Sequence, residues 1–344
     1  MEFAKKTAPF IRKPVTIEKM MIDVLIALIP VTVFAIFRFG FDAIIRIIIS
    51  LIVMIGSELV YHLIINKWKF NNYNINNITA PAISGLVFAL LLPSQISIYV
   101  VIIGALFRVI VGKLLFGGLG SNIFNPAAVG RIFVAIAFPT FLTMGAYPGV
   151  DVITGSTPLG ALSVLGIKDI SYSYSILDLF FGTIPGSMGE ISAICILIGA
   201  IYLVIRKSAD FRIMLSVVGS ALVLFLVAGL SLNGFNNLAL NYTLYQVLAG
   251  GLLFGAVFMA TDPVTSPITK QGRVLYGVLM GALVVLIRLF GGYPEGMAFA
   301  ILFLNVFVPL IDYHKWSSSK WNLWVNVGLG VFMITLSLVV YFYV

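Results

Sequence analysis

Charge is what this sequence lacks most. Only 10% of its 344 residues are Asp, Glu, Lys or Arg, against about 25% in soluble domains, so water does not solvate most of its surface. Cysteine is nearly missing as well. The single Cys195 lies inside an apolar run, which excludes a disulfide framework and a thiolate metal cluster. The two histidines, His62 and His314, lie far apart near segment ends, so no spacing for a zinc, haem or iron–sulfur site made by this chain alone arises. Acids are scarcer than bases, and the net charge is +8. In so apolar a chain, with mean hydropathy +1.10, cytoplasmic loops that collect Lys and Arg explain that excess better than a nucleic-acid partner.

What fills the chain is hydrocarbon, 60% of residues being hydrophobic. The apolar runs are continuous rather than alternating, which predicts an all-α polytopic membrane protein and not a barrel. Residues 1–19 carry Lys5, Lys6, Arg12, Lys13 and Lys19 without a small-residue cleavage site, and read as a cytoplasmic leader rather than a signal peptide. Eleven apolar segments follow, at about 20–37, 43–65, 80–92, 97–112, 123–143, 190–205, 211–230, 243–260, 273–290, 296–311 and 322–344. Several, notably 80–92 and 97–112, are shorter than the roughly 20 residues a spanning helix needs. Re-entrant or discontinuous helices are expected there.

If all eleven cross, the loops sharing a side with the leader, together with Arg273, hold 15 of the 21 Lys and Arg, while the opposite loops hold only Arg38 and Lys168. The bias predicts a cytoplasmic N-terminus and an outer-face loop at 144–189. The organisation that follows is a first transmembrane repeat at 20–143, the outer loop at 144–189, and a second repeat with a C-terminal helix at 190–344. A weak internal echo supports two halves. Ser84-Gly85-Leu86 matches Gly250-Gly251-Leu252, Phe116-Gly117-Gly118 matches Phe290-Gly291-Gly292, and Phe124-Asn125 matches Leu304-Asn305, in the same order. An odd number of crossings per half makes such repeats inverted.

Two segment junctions carry an Asx residue before proline, Asn125-Pro126 and Asp262-Pro263. Each reads first as a helix cap with Pro at the first helical position. A functional reading adds an anion or cofactor facing the helix N-terminus. Glu58, Arg108, Arg131 and Arg288 sit in apolar surroundings, where an unpaired charge costs several kcal/mol. Arg108 and Arg131 could snorkel to the cytoplasmic interface. Arg288, just before Gly291-Gly292-Tyr293, is the stronger candidate for a cofactor or carboxylate partner. Asp23 and Glu58 admit an ion path, though their spacing does not require one. In the outer loop, Asp151-Val152-Ile153-Thr154-Gly155-Ser156-Thr157-Pro158 reads on physical grounds alone as a cap on a proline-started helix.

Together these stretches resemble the RnfD/NqrB family of membrane subunits from the Rnf and sodium-translocating NADH:quinone oxidoreductase complexes. The resemblance is carried by Ser84-Gly85-Leu86, Phe124 to Arg131, Ala260 to Pro267, Gly291 to Gly296, Asn305 and Pro309 to Asp312. It covers nearly the whole chain, and the short leader is more like RnfD than NqrB. The resemblance implies about ten transmembrane helices in two inverted repeats, similar to urea transporters, with short or re-entrant segments. It implies FMN joined by a phosphoester to Thr157, within a motif matched by Asp151, Thr154 and Gly155; Ser156 departs from the usual alanine. Arg288, Gly291, Gly292 and Tyr293 are candidate walls of that flavin site, and a second, non-covalent riboflavin is implied without assigned contacts.

The implied role is an electron relay between ferredoxin and NAD, coupled to Na+ or H+ translocation in a bacterial or archaeal cell (inner) membrane. The chemistry belongs to the flavin, and the protein sets its position and potential. The implied partners are other Rnf subunits, including an iron–sulfur, ferredoxin- and NAD-linked peripheral module and a second FMN-bearing subunit, together with a flavin transferase and membrane lipid. Two alternatives stand beside this role: an NqrB-type subunit of the quinone-reducing complex, and a small-solute channel of urea-transporter type in which the outer loop is only a cap.

Overall fold

The computed structural model describes residues 17–65, 76–118, 120–143, 158–159, 174–235, 237–291, 293, 295–313 and 322–344, and every regular element among them is helical. Six stretches are long and apolar enough to cross a membrane: α1 (Ile17–Phe39), α2 (Phe41–Ile65), α4 (Ile98–Gly112) with the 3-10 turn Leu114–Phe116, α9 (Phe211–Asn233), α12 (Lys270–Phe290) and α14 (Leu323–Tyr343). Four apolar helices are shorter: α3 (Asn76–Leu90), α5 (Pro126–Ala137), α8 (Ala193–Arg206) and α13 (Met297–Ile311). At 1.5 Å per residue a helix of 15 residues such as α3 reaches only about 22 Å, short of the roughly 30 Å hydrocarbon layer. Two small helices, α6 (Pro139–Thr143) and α7 (Ile176–Phe181), and a broken one complete the set. The broken one is α10 (Asn237–Leu248) followed by α11 (Leu252–Phe254), which runs on as a π-helical stretch, Gly255–Met259.

The breaks have local causes. α10 and α11 meet at 56°, where Gly250 takes φ +70°, a left-handed conformation that costs glycine little. The segment predicted at 123–143 is cut between Ala137 and Pro139, because proline cannot donate to the helix before it. The pair 80–92 and 97–112 resolves unequally: α4 with its 3-10 turn reaches spanning length over 98–116, while α3 stays short.

The interior is one large apolar cluster fed by α1, α3, α8, α9, α12, α13 and the π-helical stretch, with a smaller one between α2, α3, α4 and α5. In the first half α3 and α4 pack on α2, and α5 packs on α4; in the second, α10 and α12 pack on α9, and α13 on α12. The halves meet where α1 lies on α8 and α5 on α13. The seam between α9 and α12 depends on missing side chains: a Cβ on Gly277 or Gly281 would run into Ser216 or Ser220. Small residues let membrane helices approach closely where no hydrophobic effect drives them together.

Candidate functional site

The two Asx-Pro motifs, 137 residues apart from Asn125 to Asp262, come together in the interior. Asn125 caps α5, its Oδ1 accepting from the backbone of Ala127 (2.9 Å) and Ala128 (3.3 Å). Its Nδ2 donates to the Met259 carbonyl (2.9 Å), at the end of the π-helical stretch. The orientation that satisfies both ends of the Asn305 amide lets it accept from the Asn125 backbone (2.8 Å) and donate to Ile301 O (3.2 Å) and Tyr276 OH (2.8 Å). Asn125 therefore works as the expected cap. Asp262 does not: its carboxylate accepts from Val264 N (3.3 Å) and Thr265 Oγ1 (3.0 Å) in a turn. α12 starts later, at Lys270, capped by Thr269.

Beside this junction opens a cavity of about 120 Å³. Its walls are apolar side chains such as Val87, Val257 and Phe258, with Asn122, Asn125 and Asp262 among the polar ones. Lys113 and Arg108 line it too. Lys113 is paired with Glu58 at 2.5 Å. Arg108, buried, donates to the Ser84 carbonyl and lies 5.6 Å from the centre of the Phe88 ring. It does not snorkel. Asp23 accepts from Tyr202 OH (3.1 Å), Arg206 Nε (3.0 Å) and Ser208 Oγ (2.5 Å), tying α1 to α8 and the turn after it. Both acids considered for an ion path are thus engaged in cross-links. At the same end Asp210 pairs with Arg212 and Arg273. Burial pushes its carboxyl up, but the hydrogen bonds and charges of those two arginines hold it below the usual carboxylate range.

The opposite end holds Arg288. Its guanidinium donates to the carbonyls of Gln246 and Ala249, the latter at 3.3 Å, and lies over the Phe225 ring at 5.8 Å. The α10–α11 break supplies those carbonyls, since a helix end frees them. A Cβ on Gly250 would lie 2.6 Å from Leu159 Cδ1 and 3.3 Å from Arg288 Nη2, so Leu159 and Arg288 flank that glycine. The loop 182–192 is pinned against α3 by Met188 N to Leu92 O (3.1 Å) and Gly189 N to Leu90 O (2.7 Å). From it Glu190, 5% exposed, places its carboxylate where a Cβ on Gly251 would sit, 2.6 Å from Oε1. Arg131 of α5 is buried and paired with Glu295 at 2.5 Å. Snorkelling is excluded for it as well, because its partner lies on the loop before α13, away from the Lys113 end. A cavity of about 20 Å³, lined by Pro158, Leu159, Ser187, Glu190, Gly250 and Glu295 among others, lies between the two carboxylates and the 158–159 stretch.

Of the sequence-derived candidates, Asp151, Thr154, Gly155, Ser156, Thr157 and Gly292 lie outside the described residues. Pro158 and Leu159, immediately after Thr157, are described, helical and buried. They bring the chain next to Arg288. Gly291 ends α12 exposed to the surroundings, and Tyr293 is exposed with its ring 5.3 Å from Phe299. Sequence reasoning missed Glu190, which belongs to no motif; its place just before the apolar α8, far from another acid, was the available signal.

Both ends provide a partial fit to a bound group. Among the described residues, Arg288 Nε, Arg131 Nη1 and Gln246 Oε1 are buried without a hydrogen-bond partner at one end, and Arg108 Nε at the other. Buried polar atoms of this kind are normally satisfied by a partner.

The profile of the NQR2, RnfD, RnfE family matches residues 4–318. The D component of the proton-translocating ferredoxin:NAD(+) oxidoreductase complex of Clostridium ljungdahlii is 35% identical over 318 residues, covering 90% of this chain and 93% of that protein. The D component of the Na(+)-translocating ferredoxin:NAD(+) oxidoreductase complex of Acetobacterium woodii is 33% identical over 309 residues, 89% of this chain and 91% of that protein. The B component of the Na(+)-translocating NADH-quinone reductase of Chromohalobacter salexigens is 41% identical over 234 residues, 67% of this chain and 57% of that protein. The family match over residues 4–318 and the D-type relatives, covered to about nine tenths, place the chain in the NQR2, RnfD, RnfE family.

Proposed function

We propose that this chain is the D-type membrane component of an ion-translocating ferredoxin:NAD+ oxidoreductase complex, and that it carries FMN through a phosphoester on Thr157. The observation that carries the role is coverage. The D components align with about nine tenths of both chains, whereas the B component of the quinone reductase aligns with 57% of its own length. The B-type role is the second reading, favoured by its 41% identity in the shared part. The two D-type relatives differ in their named ion at nearly equal identity, so overall likeness carries no choice between Na+ and H+.

The flavin assignment draws support from Leu159, two residues beyond Thr157, lying against Gly250 next to Arg288. Arg288 pairs with carbonyls rather than a carboxylate, which leaves its charge available to an anionic cofactor. FMN, when bound, would supply the one- and two-electron chemistry; Arg288 and the unpaired Nη1 of Arg131 would hold it, and the buried 158–159 stretch would exclude water. The cavity beside Asn125, at about 120 Å³, is smaller than the roughly 300 Å³ of a small-molecule site, so the second riboflavin has no assigned contacts.

The Arg288 end is assigned to the outer face. Lys113, Arg206, Lys207, Arg212, Lys270 and Arg273 belong to the turns and helix ends around the other pole, which is the cytoplasmic signature. The matching packing of the halves, α1 on α8 and α5 on α13, supports two inverted repeats of the urea-transporter kind. A solute channel on the same scaffold needs no modified hydroxyl. Intact mass of the chain, purified with its complex and its flavin transferase, is expected to show one FMN less water, lost in Thr157→Ala. An unmodified wild-type chain would sink the flavin reading.

A further inference from the structure

We propose that the groove between α12, α13 and α14 holds one acyl chain of a membrane phospholipid, packed there as a resident part of the fold. The inference goes beyond the electron-transfer reading and stands without it, since the groove is separate from both sites described above.

At about 610 Å³ the groove falls inside the roughly 300–1,000 Å³ of small-molecule sites. Leu279 and Leu283 of α12, Phe303 and Phe307 of α13, and Val325 and Phe332 of α14 are among its walls. Gln271 is the one polar side chain of its described lining, and both ends of that amide are taken. Its Nε2 donates to Asn322 O (2.8 Å) and Asn326 Oδ1 (3.2 Å), and its Oε1 accepts from Asn322 N (3.1 Å). The amide thus pins α14 to α12 at one end, while Ser231 Oγ of α9 donates to Tyr341 O (2.7 Å) at the other. Between these pins α14 packs on α9 and stands off α12 and α13.

Chemistry and width select the occupant. The described lining offers no spare hydrogen-bonding group, so a polar group inside would go unsatisfied in hydrocarbon, which is expensive. That excludes an extended peptide. Along α12 the groove runs from Gln271 to Leu286, about 22 Å at 1.5 Å per residue. Its volume over that length gives a mean cross-section of about 28 Å², against about 80 Å² for a helix 10 Å across with its side chains. A partner helix therefore does not fit without displacing α14, and an unbranched hydrocarbon chain does. The bilayer supplies such a chain at the right depth. α14 exposes Trp324 and Tyr343 near its two ends, about 28 Å apart, which matches aromatic anchors at the two faces of a hydrocarbon layer of roughly 30 Å. Trp324 adjoins Val325 of the groove and sets the Gln271 mouth at headgroup level. There the exposed Lys270 offers a positive charge to the lipid phosphate, while Asp312 is spent on the backbone of Ile268 and Thr269.

The test uses the assembled complex in nanodiscs that contain phosphatidylglycerol with a photoactivatable diazirine on one acyl chain. After illumination, fragment masses should place several-fold more adduct on Leu279, Leu283 and Phe307 than on Leu215 and Val223, which α9 exposes. Leu279→Trp should fill the groove and bring labelling of Leu283 and Phe307 down to that background, whereas Val223→Trp should leave it unchanged. If Leu279→Trp fails to assemble, Ala282→Leu narrows the groove by less and should still lower the labelling. Adducts no denser in the groove than on α9, the result expected if a partner helix displaces α14, overturn the proposal, as does labelling unmoved by the groove variants. Displacement of the label by an equal amount of a headgroup-free isoprenoid chain overturns the choice of phospholipid. A chain that lacks FMN should label in the same way, so failure of the flavin reading leaves this result untouched.

Discussion

Removing Arg131 should cost more stability than removing its partner Glu295, and the two losses should not add. The pair joins α5 to the loop before α13 at 2.5 Å, with side chains 9% and 27% exposed. Stranding one member of a buried pair costs about 3–5 kcal/mol. Arg131→Met leaves two neighbouring carboxylates, Glu295 and Glu190, with one guanidinium fewer, so about 3–4 kcal/mol is expected. Glu295→Gln keeps a hydrogen-bond acceptor for Arg131 and is partly exposed, which brings its cost to about 1–2 kcal/mol. In Arg131→Met with Glu295→Gln together no charge of the pair is stranded, and the loss should fall about 1–2 kcal/mol short of the sum of the single losses. The assay is reversible unfolding in mixed micelles, read by tryptophan fluorescence and completed as a double-mutant cycle. Losses that add to within about 0.5 kcal/mol, or a costlier Glu295→Gln, would refute the charge-balance reasoning.

Three further outcomes follow from other parts of the fold. Gly281→Leu should abolish folding or cost more than about 3 kcal/mol by overpacking the α9–α12 seam, while Gly219→Ala, with nothing within 4 Å of its new Cβ, should be neutral or slightly stabilising in a thermal melt. Asn125→Ala removes the cap of α5 and the bond to Met259 O, so a loss of about 2–3 kcal/mol is expected in the same thermal melt. Asp178 is held below the usual carboxylate range by hydrogen bonds from Thr183 and Ser175. A depressed carboxyl contributes stability above its unfolded pKa, near 3.9, and loses it as pH falls through the folded value. The protection factors of the amides over Ile176–Phe181, corrected for the intrinsic pH dependence of exchange, should therefore fall on acidification below about pH 4, and Asp178→Asn should remove that dependence.

Much of the fold was legible because hydrocarbon imposes its own grammar. Each of the eleven apolar segments corresponds to a helix or a broken helix, since a chain in lipid must satisfy its backbone internally. Lengths were less legible. α4 gains spanning length only through a 3-10 turn after Lys113, and the 123–143 run breaks at Pro139. The cap at Asn125 followed from local chemistry, whereas at Asp262 the same pattern closes a turn and the helix begins only at Lys270, where Thr269 supplies the cap.

By itself, then, the sequence determined that this protein is helical, lipid-facing and a member of a recognisable family, and it singled out Arg288 as a buried charge in need of a partner. Those are properties of composition, period and motif, which act over a few neighbouring residues. Only the tertiary structure decided the partners: Arg131 with Glu295, Lys113 with Glu58, Asn125 with Met259, and Glu190 against Gly251. The residues of these contacts lie between 55 and 164 apart in sequence. A charge buried in lipid must be compensated by something, but which residue compensates it is fixed only when the helices pack.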